Sequence, residues 1–381
     1  MPGMSEIILD PDRQNKAREY ARIRRRLFVF DILIVGIYAL AWLFFGWSIA
    51  LRDFLLNWTI TPWILVAGYG LIFAGLYLIL SLPMSYYSGY ILPIRYGMSN
   101  QQISGWIKDL LKGAFVGGVI GGLLLETIYA VLRFYPESWW LIAAILLLLF
   151  SVLLANLAPI ILMPIFYKFE PLGDEFSDLD ERLLNLAEKT NTQVRGVYQF
   201  DMSTRTKAAN AALAGLGNTR RILLGDTLLA EFTSDEIETV LAHEFGHHVH
   251  RDIPYGILVE GGITLIGLYF AAVGLNWGVE ALGLSSVADI AGLPLFMIVI
   301  GAYGLITMPI TNTYSRWRER RADQFALDVT KMNAVYASAM VRLANQNLAE
   351  ADPEPWVEFL LYSHPSLGKR IKMANEWNPN R

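Results

Sequence analysis

Four of this chain's five histidines lie between positions 243 and 250, and the fifth is His364. Inside the cluster, His243-Glu244-Phe245-Gly246-His247 has the spacing H-E-x-x-H. Helical residues four apart share a face, so both imidazoles can reach one metal ion, and Glu244 can reach a water on that ion as general base. His248 and His250 fall off the shared face and read as surface, supporting or substrate-side groups. Cysteine is absent, which excludes thiolate metal sites, disulfides and a cysteine nucleophile together. A metal here must be held by histidine and carboxylate, and the spacing points to a zinc hydrolase, with Zn2+ as the expected cofactor.

The motif needs a helix under it. Thr233-Ser234-Asp235-Glu236 is a capping box, with Thr233 or Ser234 as N-cap, opening a helix just before the histidines. Ile237, Val240 and Leu241 give that helix an apolar face, and Gly246 allows a close neighbour. Upstream, the pattern predicts a helix over 177–190, a strand over 193–200, and a hairpin pairing 208–216 with 220–225 across Gly217-Asn218.

The rest of the chain is apolar. Hydrophobic residues make up 54% and charged residues 17%, too apolar for an ordinary soluble protein. Six stretches are long enough to cross a hydrocarbon layer of about 30 Å: 28–50, 62–85, 113–133, 139–166, 254–278 and 292–313. The chain therefore divides into a basic arm (1–26), a four-span region (27–166), a segment carrying the motif (167–253), a transmembrane hairpin (254–313) and a helical C-terminal segment (314–381). Arginines and lysines crowd the arm, the loop with Arg95, Lys108 and Lys112, and the segment with Arg316, Arg318, Arg320 and Arg321. The positive-inside rule places these, both termini and the motif on the cytoplasmic side. The net charge of −4 and the placement of the arm make it an orientation signal, with no nucleic-acid partner expected. Gly117, Gly118, Gly121 and Gly122 predict a close helix-packing face, and Glu126 and Glu260 lie inside predicted spans, where a carboxylate must face protein or water.

A catalytic zinc usually takes three protein ligands. Extending the motif to a third histidine fails, because positions 250 and 253 are His and Ile. A carboxylate from a later helix is the alternative. Glu319 and Asp323 are four apart, so one can bind the ion while the other orients a histidine. The motif precedes the fifth span and Glu319 follows the sixth on the same side, so the transmembrane hairpin returns Glu319 toward the metal helix.

With these pieces assembled, the chain resembles the membrane zinc metalloproteases that include the type I CAAX prenyl endopeptidases and the HtpX heat-shock proteases. The matching pieces are His243–His247, the block Ser315-Arg316-x-x-Glu319-x-x-Ala322-Asp323, and Tyr362-Ser363-His364-Pro365-Ser366-Leu367 followed by Arg370. The CAAX branch is favoured by the run from Pro164 to Leu172, by Asn210-Ala211-Ala212, and by four spans ahead of the motif. The sequence departs from that branch at Tyr167, where the family usually has Asn, and in having six spans where eukaryotic members have seven.

The resemblance implies a mainly α, polytopic membrane bundle with a gluzincin-like zinc protease domain carrying a small β-hairpin or sheet. It makes Glu319 the third ligand and Asp323 its supporting partner. His364 and Arg370 become candidates for steadying the oxyanion of peptide hydrolysis. It also implies that Asn210, Ala211 and Ala212 line the substrate groove, and that a large water-filled chamber accommodates Glu126 and Glu260. The implied substrate is a peptide or protein, lipidated or unmodified, met in contact with membrane lipid. C-terminal CAAX-type processing is the first reading, and quality-control degradation of membrane proteins, as in the HtpX group, is the alternative. A transporter is disfavoured by the intact motif, and an inactive scaffold by the filled catalytic positions.

Overall fold

Hydrocarbon offers backbone amides no partner, so a long apolar segment must satisfy them within itself, as a helix. The computed structural model describes residues 8–215 and 219–379 and is dominated by such helices. In chain order come α1 (Pro11–Phe44), α2 (Trp47–Leu56), α3 (Pro62–Tyr86), α4 (Leu92–Arg95), α5 (Ile103–Phe134), α6 (Trp139–Leu157) and α7 (Met163–Phe166). The soluble part begins with β1 (Phe169–Pro171), α8 (Ser177–Lys189), β2 (Val197–Phe200), β3 (Ala211–Ala214), β4 (Arg221–Gly225), α9 (Asp226–Glu231) and α10 (Ser234–Val249). Two long helices follow, α11 (Asp252–Ala281) and α12 (Leu293–Thr330), then α13 (Asn333–Gln346), α14 (Pro355–Leu361) and α15 (Leu367–Glu376). Among the described residues six helices are long and apolar enough to cross a membrane, at the six predicted places, with α3–α4 and α6–α7 each joined through a π-helical turn.

Three features differ from the sequence reading. The first apolar run does not stay helical to residue 50: α1 closes at Phe45, and Gly46 takes a left-handed φ of 69° before α2 starts. The sixth span does not end near 313. It continues unbroken to Thr330, so Glu319 and Asp323 ride on the membrane helix itself. The glycines of α5 do not form a packing seam, since a Cβ on Gly117, Gly118, Gly121 or Gly122 would meet nothing within 4 Å. Small residues permit close approach without compelling it. The tight contact of α5 with α3 lies elsewhere, where a Cβ on Gly70 would stand 2.6 Å from Leu125.

The four strands form one sheet in the order β1-β2-β4-β3. β2 runs parallel to β4, with Val197 opposite Ile222, and β3 runs antiparallel to it, with Ala211 opposite Leu224. β3 pairs with β4 as the hairpin pattern predicts and stands at the sheet edge, while the predicted turn at Gly217-Asn218 lies outside the described residues. A core including Leu183, Ile222, Leu224, Leu228, Ile237, Leu241 and Phe245 joins the sheet to α8, α9 and α10. On the far side of α10, Gly246 meets α12: an added Cβ would lie 2.9 Å from the Ala322 Cα and 3.1 Å from its carbonyl oxygen. Backbone cannot yield as a flexible side chain does. Gly246→Val is therefore expected to destabilise the protein by about 1–3 kcal/mol through overpacking. Thermal unfolding in detergent checks this, and a midpoint equal to the parent's would contradict the close approach.

Candidate metal centre

The site is built on α10, whose start is fixed twice. Thr233 is the N-cap: its side chain accepts from the Glu236 N–H (3.3 Å), and the Glu236 carboxylate accepts from the Thr233 N–H (3.0 Å). The same buried carboxylate accepts from Ser338 (2.6 Å) and pairs with Arg342 (3.1 Å), which ties the helix to α13. About three and four turns on, His243 and His247 present their Nε2 atoms to each other at 3.2 Å. Glu319 of α12 closes the triangle, with Oε2 3.3 Å from His243 Nε2 and Oε1 3.3 Å from His247 Nε2. These are the three residues that the sequence brought forward as ligands, and the structure brings them together.

The arrangement suits a cation. Ligand atoms about 2.0–2.1 Å from a tetrahedral zinc stand about 3.3 Å from one another. Glu319 Oε2 is buried and accepts no hydrogen bond, so a carboxylate oxygen is kept ready without a protein donor. Burial alone would depress the His243 imidazole, but the facing carboxylates of Asp323 and Glu319 override it and push it up to about 9. The same contest, with Glu319 and then Asp252 as partners, raises His247. Carboxylates here outweigh burial, and a cation answers the same field.

Each histidine is aimed from behind. His243 Nδ1 is 2.7 Å from Asp323 Oδ1. Asp323 in turn accepts from Arg370 (2.6 and 3.0 Å) and from the Tyr336 hydroxyl (2.5 Å), all buried. His247 Nδ1 is 2.8 Å from Asp252 Oδ2. Asp252 begins α11 directly after α10, and Arg251 makes the sharp turn between them by adopting a left-handed φ of 55°. The sequence reading passed over Asp252 and Tyr336, because no spacing rule reaches across a helix break or between separate helices. Asp252→Asn keeps the size and removes the charge. It is expected to weaken metal binding about 10–100-fold with the fold retained. A competitive chelator titration measures this, and parental affinity would dismiss the supporting role.

Arg370 is tied to the ligand His243 through Asp323. Its guanidinium is held by Asp323 and Tyr336 and lies 3.3 Å from His243 Nδ1, behind the ring and away from the Nε2 triangle. It therefore acts on the ligand's orientation, and it also lines the cavity that holds His243, Glu244 and His364. His364 does reach the front: its Nε2 is 3.4 Å from Glu319 Oε1, on an exposed side chain. The backbone before it is fixed by Arg316 of α12, which donates to the carbonyls of Glu358 (2.9 Å) and Tyr362 (2.6 Å). His250 turns away, with Nδ1 2.8 Å from the Gly246 carbonyl oxygen.

A cavity of about 820 Å3 opens beside the triangle, lined by His243, Glu244 and His364, by Asn210 just before the edge strand and by Ala211, its first residue. Ala212 is not part of its wall. A second cavity of about 550 Å3 lies between α6, α11 and α12, and Glu260 lines it with Ser151, Thr264 and Thr311. Glu126 does not line either cavity, and its Oε2 is buried without a hydrogen-bond partner.

Residues 174–378 match the family model described as peptidase family M48, and residues 1–168 match one described as the CAAX prenyl protease N-terminal region with five membrane helices. Among the described residues this region has four long apolar helices; α2, at ten residues, extends only about 15 Å. Similar proteins include the uncharacterized metalloprotease YhfN of Bacillus subtilis, 26% identical over 97% of this chain and 87% of that protein. CAAX prenyl protease 1 of Saccharomyces cerevisiae is also 26% identical, over the same shares of the two chains. The Arabidopsis thaliana CAAX prenyl protease 1 homolog is 28% identical over 77% of this chain and 69% of its own. The crystal structure of S. mikatae Ste24p superposes with a TM-score of 0.84 at 23% identity, covering 98% of this chain and 90% of that one, so the fold is shared. Four spans ahead of the motif and two after it, with the M48 match covering the whole of the donor triangle, make the chain a multi-pass membrane metalloprotease belonging to peptidase family M48.

Proposed function

We propose that the protein is a zinc endopeptidase that processes the C-terminal end of peptides at the cytoplasmic face of a membrane, with prenylated CAAX-type substrates the class it fits best. The observation that carries the reading is the donor triangle opening into a cavity whose wall is a free sheet edge. His243, His247 and Glu319 would hold one zinc ion, which when bound supplies Lewis-acid polarisation and lowers the pKa of water. Glu244, half-buried on the cavity wall, takes the proton of the attacking water and returns it to the leaving amine. The β3 edge holds the substrate extended by adding it as a further strand. His364, at the mouth beside Glu319, donates to the developing oxyanion. Asp323 and Asp252 fix the two imidazoles, and Arg370 and Tyr336 fix Asp323.

The relatives named as CAAX prenyl proteases, in yeast and plant, support this substrate class over general degradation. The basic residues in the N-terminal parts of α1 and α5 and the C-terminal part of α12 support a cytoplasmic site. The test uses the purified full-length protein in detergent, given a farnesylated C-terminal peptide and, separately, an unmodified misfolded membrane protein. Metal analysis should find zinc near one per chain, and the peptide should be cut in a reaction that a chelator stops. Preferential degradation of the misfolded protein would transfer the reading to quality control, and chelator-resistant cleavage would end it.

A further inference from the structure

The free edge of the sheet is short, and one side chain ends it. The Gly225 N–H donates to the Asn210 carbonyl (2.9 Å), so Asn210 turns its backbone groups toward β4. Backbone groups alternate along an antiparallel strand, so Ala209, Ala211 and Leu213 turn theirs to the open edge. Ala211 and Leu213 leave theirs for an added strand. Ala209 does not: the Asn347 side chain accepts from its N–H (2.8 Å) and donates to its carbonyl (3.2 Å). Asn347 thus occupies the place a neighbouring strand would take, and an extended peptide laid on this edge must stop there.

Direction follows from pairing. Antiparallel addition, the more stable mode, puts the C-terminal end of the peptide at the Ala209 end of β3. Beyond that end stands α1. Ala17 and Tyr20 pack with Ala208 and Leu348, and the next turns carry Arg24 and Arg25 into the wall of the cavity that holds His243 and Glu244. The two arginines are not equivalent. Arg25 is neutralised by Glu350 at 2.7 Å, with Glu354 at 4.0 Å. Arg24 is exposed, lies 5.7 Å from the centre of the Tyr20 ring, and pairs with no carboxylate among the described residues. Asp31, beside it in an adjoining pocket, faces the Tyr77 hydroxyl at 3.4 Å.

We propose that Asn347 and Arg24 form the terminal subsite of the groove, Asn347 closing the sheet edge and Arg24 binding the free C-terminal carboxylate of the substrate. The inference rests on the C-terminal processing reading and gives it a physical ruler. A chain that continues past the stop finds no further edge to pair with, and a terminus without charge leaves the guanidinium unpaired. Arginine suits this task because its planar fork matches a carboxylate.

The test is made on the full-length, zinc-loaded Glu244→Gln protein in detergent, so that bound peptide is not consumed. One farnesylated fluorescent peptide is prepared with a free carboxylate and as its carboxamide, and binding is read by anisotropy. The acid should bind about tenfold more tightly than the amide, the effect of one charge-assisted contact in a partly solvated site. Adding Arg24→Gln should bring that ratio to about one, and Arg24→Lys should keep part of it. Equal binding of the two peptides to the parent, no binding of the acid, or an unchanged ratio after Arg24→Gln would each overturn the proposal. Binding and turnover are separate readouts. A peptide that shows the charge preference yet is not cut by the active enzyme defeats the processing reading and leaves the subsite standing.

Discussion

Replacing Glu244 by Gln is expected to lower kcat by about 10²–10⁴-fold while the zinc content stays that of the parent. The two outcomes separate because Glu244 is beside the donor triangle without belonging to it: the three donors are His243, His247 and Glu319, whereas Glu244 lines the cavity next to them. Gln preserves the size of the side chain and removes its ability to take a proton, so the proton transfers lose their partner and the substrate contacts of β3 are left alone. KM should therefore move little. Metal analysis and steady-state kinetics on the same preparation decide the matter. Unchanged cleavage would remove Glu244 from the chemistry, and lost zinc would make it a ligand instead.

Asp323→Ala should be the most damaging change behind the triangle. Its carboxylate is almost fully buried and receives four contacts, from His243 Nδ1, both arms of Arg370 and the Tyr336 hydroxyl. Removing it strands a buried guanidinium, which costs about 3–5 kcal/mol where one partner of a buried pair is deleted. It also frees the His243 ring, so zinc affinity should fall about 10–100-fold. Pairing the change with Arg370→Met removes the stranded charge and should restore part of the stability, though not the metal affinity. Unfolding in detergent and a chelator titration check the two effects. A loss below about 1 kcal/mol would mean that Arg370 finds another partner.

The residues that do chemistry were legible where one helix or one topological step decides their meeting. His243 and His247 are a turn apart on a capped helix, and helical geometry alone aims them together. Glu319 was reachable because it is the first carboxylate after the transmembrane hairpin, which returns the chain to the motif's side, and it shares a helical face with Asp323. Arg370 shows where this stops: its place in a compact motif with His364 put it near the site, and only packing reveals that Asp323 and Tyr336 turn its guanidinium behind His243. The α5 glycines show the same limit, since a pattern that allows close packing does not name a neighbour.

By itself, then, the sequence determined the six apolar helices, the capped motif helix, the absence of thiolate ligands and the donor types. Each of these depends on local periodicity or on composition. Tertiary structure decided that α12 runs unbroken from the bilayer to Glu319, that Asp252 doubles back onto His247, and that Asn347 closes the edge of β3 in front of α1. Those contacts join segments whose separation along the chain is fixed by no period, so packing alone selects them. The spacing of five residues therefore announces a metal, while what surrounds that metal is set by helices that meet only in the folded protein.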